Sequence, residues 1–174
     1  MKEKLLVLTP FIPYPLNTGG NHGTFHMLNF VKDYYEVFLW FHINNEKKEK
    51  PTIDALNKAL DGKVHIHYTA NKIGKNFTTY RAIDRKLQAK LLKDDIQYSH
   101  TMILGGPLEM GSMDYQNLID IMNIIKDNDI HYVQMEYSNM RDMVYIMPYN
   151  VKKVFINHEI RYARIGTYYN EMKN

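Results

Sequence analysis

Apolar positions along the chain follow two rhythms. Short apolar runs bounded by proline, glycine or charge predict strands at Lys4 to Thr9 (KLLVLT), Glu36 to His42 (EVFLWFH), Lys63 to Tyr68 (KVHIHY), Thr101 to Leu104, Ile130 to Glu136 (IHYVQME) and Lys153 to Asn157 (KVFIN). Between them apolar residues recur every three or four positions, the spacing of one helix face. That rhythm predicts helices over 22–34 (Phe25, Leu28, Val31), from Pro51 to the glycine at 62 (Ile53, Leu56, Leu60) and over 77–93 (Tyr80, Ile83, Leu87, Leu91). It predicts further helices over 115–127 (Leu118, Ile121, Met122, Ile125), over 138–147 and from Glu159 onward. Pro51 suits a first helical turn, Gly62 a helix end and Asp114 an N-cap. Asn44 to Lys50 is polar and reads as a surface loop.

Strands alternating with helices require crossover connections, parallel pairing and helices on both faces of the sheet. The expected fold is α/β: a three-layer Rossmann-like arrangement around a mostly parallel sheet, with residues 1–174 forming a single domain. The length of 174 residues, with 45% hydrophobic and 24% charged residues, suits one soluble globular core. A net charge of +3 is too mild to mark a nucleic-acid-binding face. No cysteine is present, which excludes disulfides, thiolate metal sites and a thiol nucleophile, and fits a reducing compartment. The opening apolar run, Leu5 to Leu8, is too short for a signal-peptide core, and no run approaches the ~18 residues that span a bilayer. The expected location is cytoplasmic.

The stretch TPFIPYPLNTGGNHG, after the first strand, carries the most distinctive chemistry. Prolines stiffen it, and Gly19 and Gly20 leave bare backbone at the start of a helix. In an open parallel sheet ligands bind beyond the carboxyl ends of the strands, and helix N-termini there present free N–H groups. A stiff arch ending in bare backbone suits a phosphate or a sugar; equally, proline and glycine can simply make a connection. The order G-G-x-x-G is not the dinucleotide pattern G-x-G-x-x-G, no acid follows the second strand, and no G-x-x-x-x-G-K-[ST] loop exists. No cofactor is expected. Neither is a metal: His65 and His67 share a strand face without a third ligand at a suitable spacing, and His22 and His26, at i and i+4, have Gly23 where H-E-x-x-H has glutamate.

Taken together, KLLVLTPFIPYPLNTGGNHGTFHMLNFV, DIHYVQMEYSNM and VKKVFINHEIRYARI resemble segments of GT-B glycosyltransferases, particularly the large retaining group that includes sucrose and mannosyl transferases. The resemblance covers roughly residues 4–42 and 129–166. It implies the N-terminal, acceptor-side half of an enzyme that moves a sugar from a nucleotide sugar to a hydroxyl acceptor. The missing partner would be a C-terminal, donor-binding domain, because the family's pair of glutamates is absent; Glu159 and Glu171 are too far apart. The resemblance implies that Gly19, Gly20, Asn21 and His22 face the substrate, although many relatives carry basic residues after the glycine pair. It also implies that His158 stands near the transferred sugar, with Glu159 and Arg161 beside it.

Glu136, ending its strand, is either a general base for the acceptor hydroxyl or a cap for the helix starting near Ser138. Arg161 and Arg164 either reach phosphate or form a solvated face. The basic stretch Lys72 to Lys93 reads first as an amphipathic helix on the sheet and second as a peripheral contact with an anionic inner membrane face. Met140, Met143 and Met147 form either a packed stripe or the face that meets a second domain. A non-catalytic sugar- or phosphate-binding module and a stand-alone Rossmann-like enzyme remain as other classes.

Overall fold

The computed structural model of the chain describes residues 2–70, 115–137, 140 and 143–156. Among these residues, five strands form one all-parallel sheet: β1 (Lys4–Thr9), β2 (Glu36–Ile43), β3 (Val64–Ala70), β4 (Tyr132–Glu136) and β5 (Lys152–Ile156). Their order is β3-β2-β1-β4-β5. The helices are α1 (Gly19–Val31), α2 (Glu46–Ala59), α3 (Tyr115–Asp127) and the short α4 (Met143–Ile146). This is the expected Rossmann-like α/β arrangement.

Side-chain alternation along the strands builds two cores. Leu5, Val7, Val37, Leu39, Phe41 and Ile43 face Phe25 and Leu28 of α1 and Ile53 and Leu56 of α2. Leu6, Leu8, Phe38, Trp40, Val133 and Met135 face Ile121, Ile124 and Ile125 of α3. Residues on both strand faces are buried, which is why the central strands read as continuous apolar runs. A one-residue slip between β1 and β2, now paired Lys4↔Glu36 through Thr9↔Phe41, would exchange the two cores, so the register is fixed by packing. Met140, Met143 and Met147 are buried in the α3-side core, so they are packed there rather than presented to another domain.

Helix ends are set by local hydrogen bonds. Thr18 caps α1, accepting from the Asn21 N–H, and α1 begins at Gly19, earlier than its expected start at 22. The glycine pair is thus the first helical turn. Asn45 caps α2, accepting from the Lys48 N–H, while Glu49 accepts from the N–H groups of Asn44 and Asn45. These two caps start α2 at Glu46 and leave Pro51 inside the helix, whereas polarity predicts a loop to Lys50 and a first turn at Pro51. At the other end Asp61 adopts φ 56°, and Gly62 N–H reaches Asn57 O at 2.9 Å. Asp129 closes α3 in the same way, with φ 51° and Ile130 N–H to Ile125 O at 3.0 Å. The expected helix over 77–93, the strand at 101–104, the Asp114 cap and the helix after 159 lie outside the described residues.

The chain moves from β1 outward to β2 and β3, then crosses back to β4 and β5. Connections leaving the carboxyl ends of β1 and β4 therefore diverge, and the crevice between them is the switch point where open α/β sheets hold ligands.

Candidate functional site

Buried polar residues mark the carboxyl rim. Thr9, Thr24, Thr69, Asn117 and Glu136 are all buried, and each lies at a strand end or in the half of a helix nearest this rim. Burying a polar group costs free energy unless it is satisfied, so such groups collect where a fold requires them for geometry or for a ligand. Lys32 is buried at the opposite end of the fold and is paired with Asp61 at 2.7 Å.

The loop after β1 is rigid for reasons beyond proline. Ile12, Tyr14 and Leu16 pack on the α1-side core, and the ring of Tyr14 lies 6.1 Å from that of Phe25. The Tyr14–Pro15 peptide is cis. Pro15 O accepts from Asn17 N–H at 2.9 Å and from Asn21 Nδ2 at 2.6 Å, and Asn21 Nδ2 also reaches Asn17 Oδ1 at 3.2 Å. The Asn21 amide is therefore committed to holding the loop.

Gly19 and Gly20 serve different ends. Both lie in α-helix, and neither has a positive φ, so backbone freedom is not the reason for either. A Cβ at Gly19 would meet nothing within 4 Å. A Cβ at Gly20 would stand 2.5 Å from Tyr137 Oη and 3.6 Å from Phe11 Cζ. Gly20 makes room for a phenol, whereas Gly19 presents open backbone. The first intrahelical bond runs from His22 N–H to Thr18 O, which leaves the Gly19 and Gly20 N–H groups at the positive end of the helix. No acid in the first turn offsets that charge. One turn further along, the Thr24 hydroxyl is buried without a hydrogen-bond partner among the described residues. His22 is exposed one residue beyond Asn21, its ring stacked with that of His26.

Across the crevice, Glu136 ends β4 on the α1-side face, where the Gln134 amide donates to its carboxyl oxygen and also lies 3.7 Å from Met27 Sδ of α1. Tyr137 follows with φ 69°, a left-handed conformation that costs an aromatic residue free energy. Its N–H donates to Ile156 O at 3.0 Å, and its ring lies 4.9 Å from Phe11. These contacts place the phenol over Gly20. On the α3-side face, Trp40 Nε1 donates to Thr69 Oγ1 at 3.1 Å, and the Thr69 hydroxyl donates to Asp120 at 2.6 Å. His42 is Thr69's register partner at the end of β2.

Of the residues singled out from sequence, the structure brings Gly19, Gly20, Asn21, His22 and Glu136 to one rim. His158, Glu159 and Arg161 lie outside the described residues, although β5 itself ends at this rim with Ile156. Sequence reasoning missed Tyr137, Thr24, Thr69 and Asp120. Tyr137 gives no local signal, because aromatic residues are rarely left-handed. Comparison of the chain with family models, curated proteins and solved structures returned no match. No helix among the described residues is long and apolar enough to cross a membrane.

Proposed function

We propose that this chain is the acceptor-side half of a glycosyltransferase that moves a sugar from a nucleotide donor to a hydroxyl. The observation that carries the proposal is the gathering of buried polar groups at the carboxyl rim of a parallel sheet, with Thr9 and Glu136 ending the two strands, β1 and β4, that flank the crevice. The motif resemblance around residues 4–42 and 129–166 supplies the chemical class. In this assignment Glu136 accepts a hydrogen bond from the acceptor hydroxyl and serves as its general base. Gly19 N–H, at the positive end of α1, meets the anionic side of the donor. Transfer itself requires a second, donor-binding domain, with His158, Glu159 and Arg161 contributing from the segment after β5. A peripheral contact of Lys72 to Lys93 with anionic lipid belongs to the same proposal, as does a cytoplasmic location.

A binding module without turnover is the second reading. It is favoured by the hydrogen bond from Gln134 to Glu136, which occupies one carboxyl oxygen that a general base would use. Incubation of the purified chain with labelled UDP-, GDP- and ADP-sugars and simple glycoside acceptors tests both. The glycosyltransferase-half assignment predicts saturable acceptor binding and negligible transfer, with transfer appearing when a donor-binding domain is supplied. The binding-module reading predicts the same binding with no transfer even then. Robust turnover by the 174 residues alone would contradict both, and so would the absence of any sugar binding.

A further inference from the structure

The exposed face of α1 carries a histidine pair whose second member, His26, has no part in the proposed transfer. His22 and His26 are both exposed, one helical turn apart, with ring centroids 5.8 Å apart and planes inclined by 26°. Their ring contacts are with each other and, for His26, with Phe25 at 5.6 Å. Neither takes part in a hydrogen bond or ion pair among the described residues. Two imidazoles at i and i+4 on a helix point the same way. With metal–nitrogen bonds of about 2.0–2.1 Å, two nitrogens must stand about 3.3 Å apart on a tetrahedral ion and about 2.9 Å apart on a tetragonal one. From rings now 5.8 Å apart, rotation of the two side chains is the movement that would bring a nitrogen of each to that separation.

We propose that His22 and His26 form a two-histidine clip for a borderline divalent cation, with Cu2+ bound more tightly than Ni2+ or Zn2+ and with Mg2+ and Ca2+ refused. The described residues hold no group of three or more histidine, cysteine, aspartate or glutamate side chains that would complete a closed cage. Among the described residues nothing else competes for the remaining coordination positions, which are open to water or to a bound ligand's oxygen atoms. The site is open and its affinity depends on both imidazoles acting together, because the second ligand is delivered at high effective concentration by the helix.

Calorimetric titration of the intact chain with Cu2+, with Mg2+ as control, tests the clip. One ion per chain is expected, and His22→Ala or His26→Ala should each weaken binding about a hundredfold. Circular dichroism verifies that α1 is retained, as alanine favours helix. Phe30 is also exposed and lies four residues after His26, so His22→Ala/Phe30→His rebuilds the spacing one turn along and should restore binding. Wild-type affinity in both single variants, no saturable uptake by the wild type, or failure of the rebuilt pair in a folded variant would each overturn the proposal.

Discussion

Replacing Gly20 with alanine separates the two explanations of the glycine pair. The new Cβ would lie 2.5 Å from Tyr137 Oη, so the phenol would have to retreat by about 1 Å to reach ordinary contact. It cannot do so freely, since the Phe11 ring packs against it at a 59° tilt and its backbone is held in the left-handed region by the bond to Ile156 O. Overpacking of this kind costs about 1–3 kcal/mol, and the helical preference of alanine over glycine returns about 0.5–1 kcal/mol. The expected net loss is about 1–2 kcal/mol. For a domain of this size that lowers Tm by about 2–8 °C. In Gly20→Ala/Tyr137→Phe the offending oxygen is gone, and the next atom, Cζ of residue 137, is 3.4 Å from the Cβ. The double variant should therefore be more stable than the sum of the two single changes, with a coupling of about 1 kcal/mol. Chemical denaturation of the four proteins measures it. Additive effects within about 0.3 kcal/mol would refute the packing explanation of Gly20 and the position assigned to Tyr137.

Gly23→Ala, on the exposed side of α1 with nothing within 4 Å of the new Cβ, should raise stability by about 0.5–1 kcal/mol in the same denaturation assay; a loss would mean that α1 is not helical there. Glu136→Gln keeps the shape of a buried side chain, so Tm should move little while acceptor affinity falls about 10- to 100-fold, the worth of a charge-assisted hydrogen bond. Unchanged binding would remove Glu136 from the site. Burial, and secondarily His65, push the His67 imidazole below its usual 6.5. The unfolded chain then binds that proton more readily, so the stability from this group is complete above the usual value and is lost as pH falls through the lowered one. His67→Gln should flatten the slope of Tm against pH on the acid side of neutrality, and an identical slope in the variant would contradict the burial assignment.

Strands were the most legible elements because β1 and β2 are buried on both faces, so their apolar runs have no other home, and β4 keeps its buried Val133 and Met135 in alternation. Helix starts were less legible. EKKEK reads as a loop by polarity, yet Asn45 accepts from the Lys48 N–H and Glu49 accepts from the N–H groups of Asn44 and Asn45, and these caps carry α2 through it. Gly19-Gly20 reads as bare backbone ahead of a helix over 22–34, yet Thr18 begins the helix at Gly19 and one glycine is dictated by a neighbour more than 100 residues away in sequence. The site was legible as a rim, through strand ends and the glycine loop. Its other members, Thr24, Thr69, Asp120 and Tyr137, depend on tertiary neighbours that local sequence does not encode.

The central claim is that sugar is handled at the carboxyl rim, in the crevice between β1 and β4. Titration of the isotopically labelled chain with methyl glycosides and nucleotide sugars, followed by amide chemical shifts, tests it directly. The shifts should concentrate at Thr9, Phe11, Gly19, Gly20, Glu136 and Tyr137, and the β1, β2 and β4 ends at Lys4, Glu36 and Tyr132 should stay silent. Saturable shifts centred on those opposite strand ends, with the rim unaffected, would contradict the account.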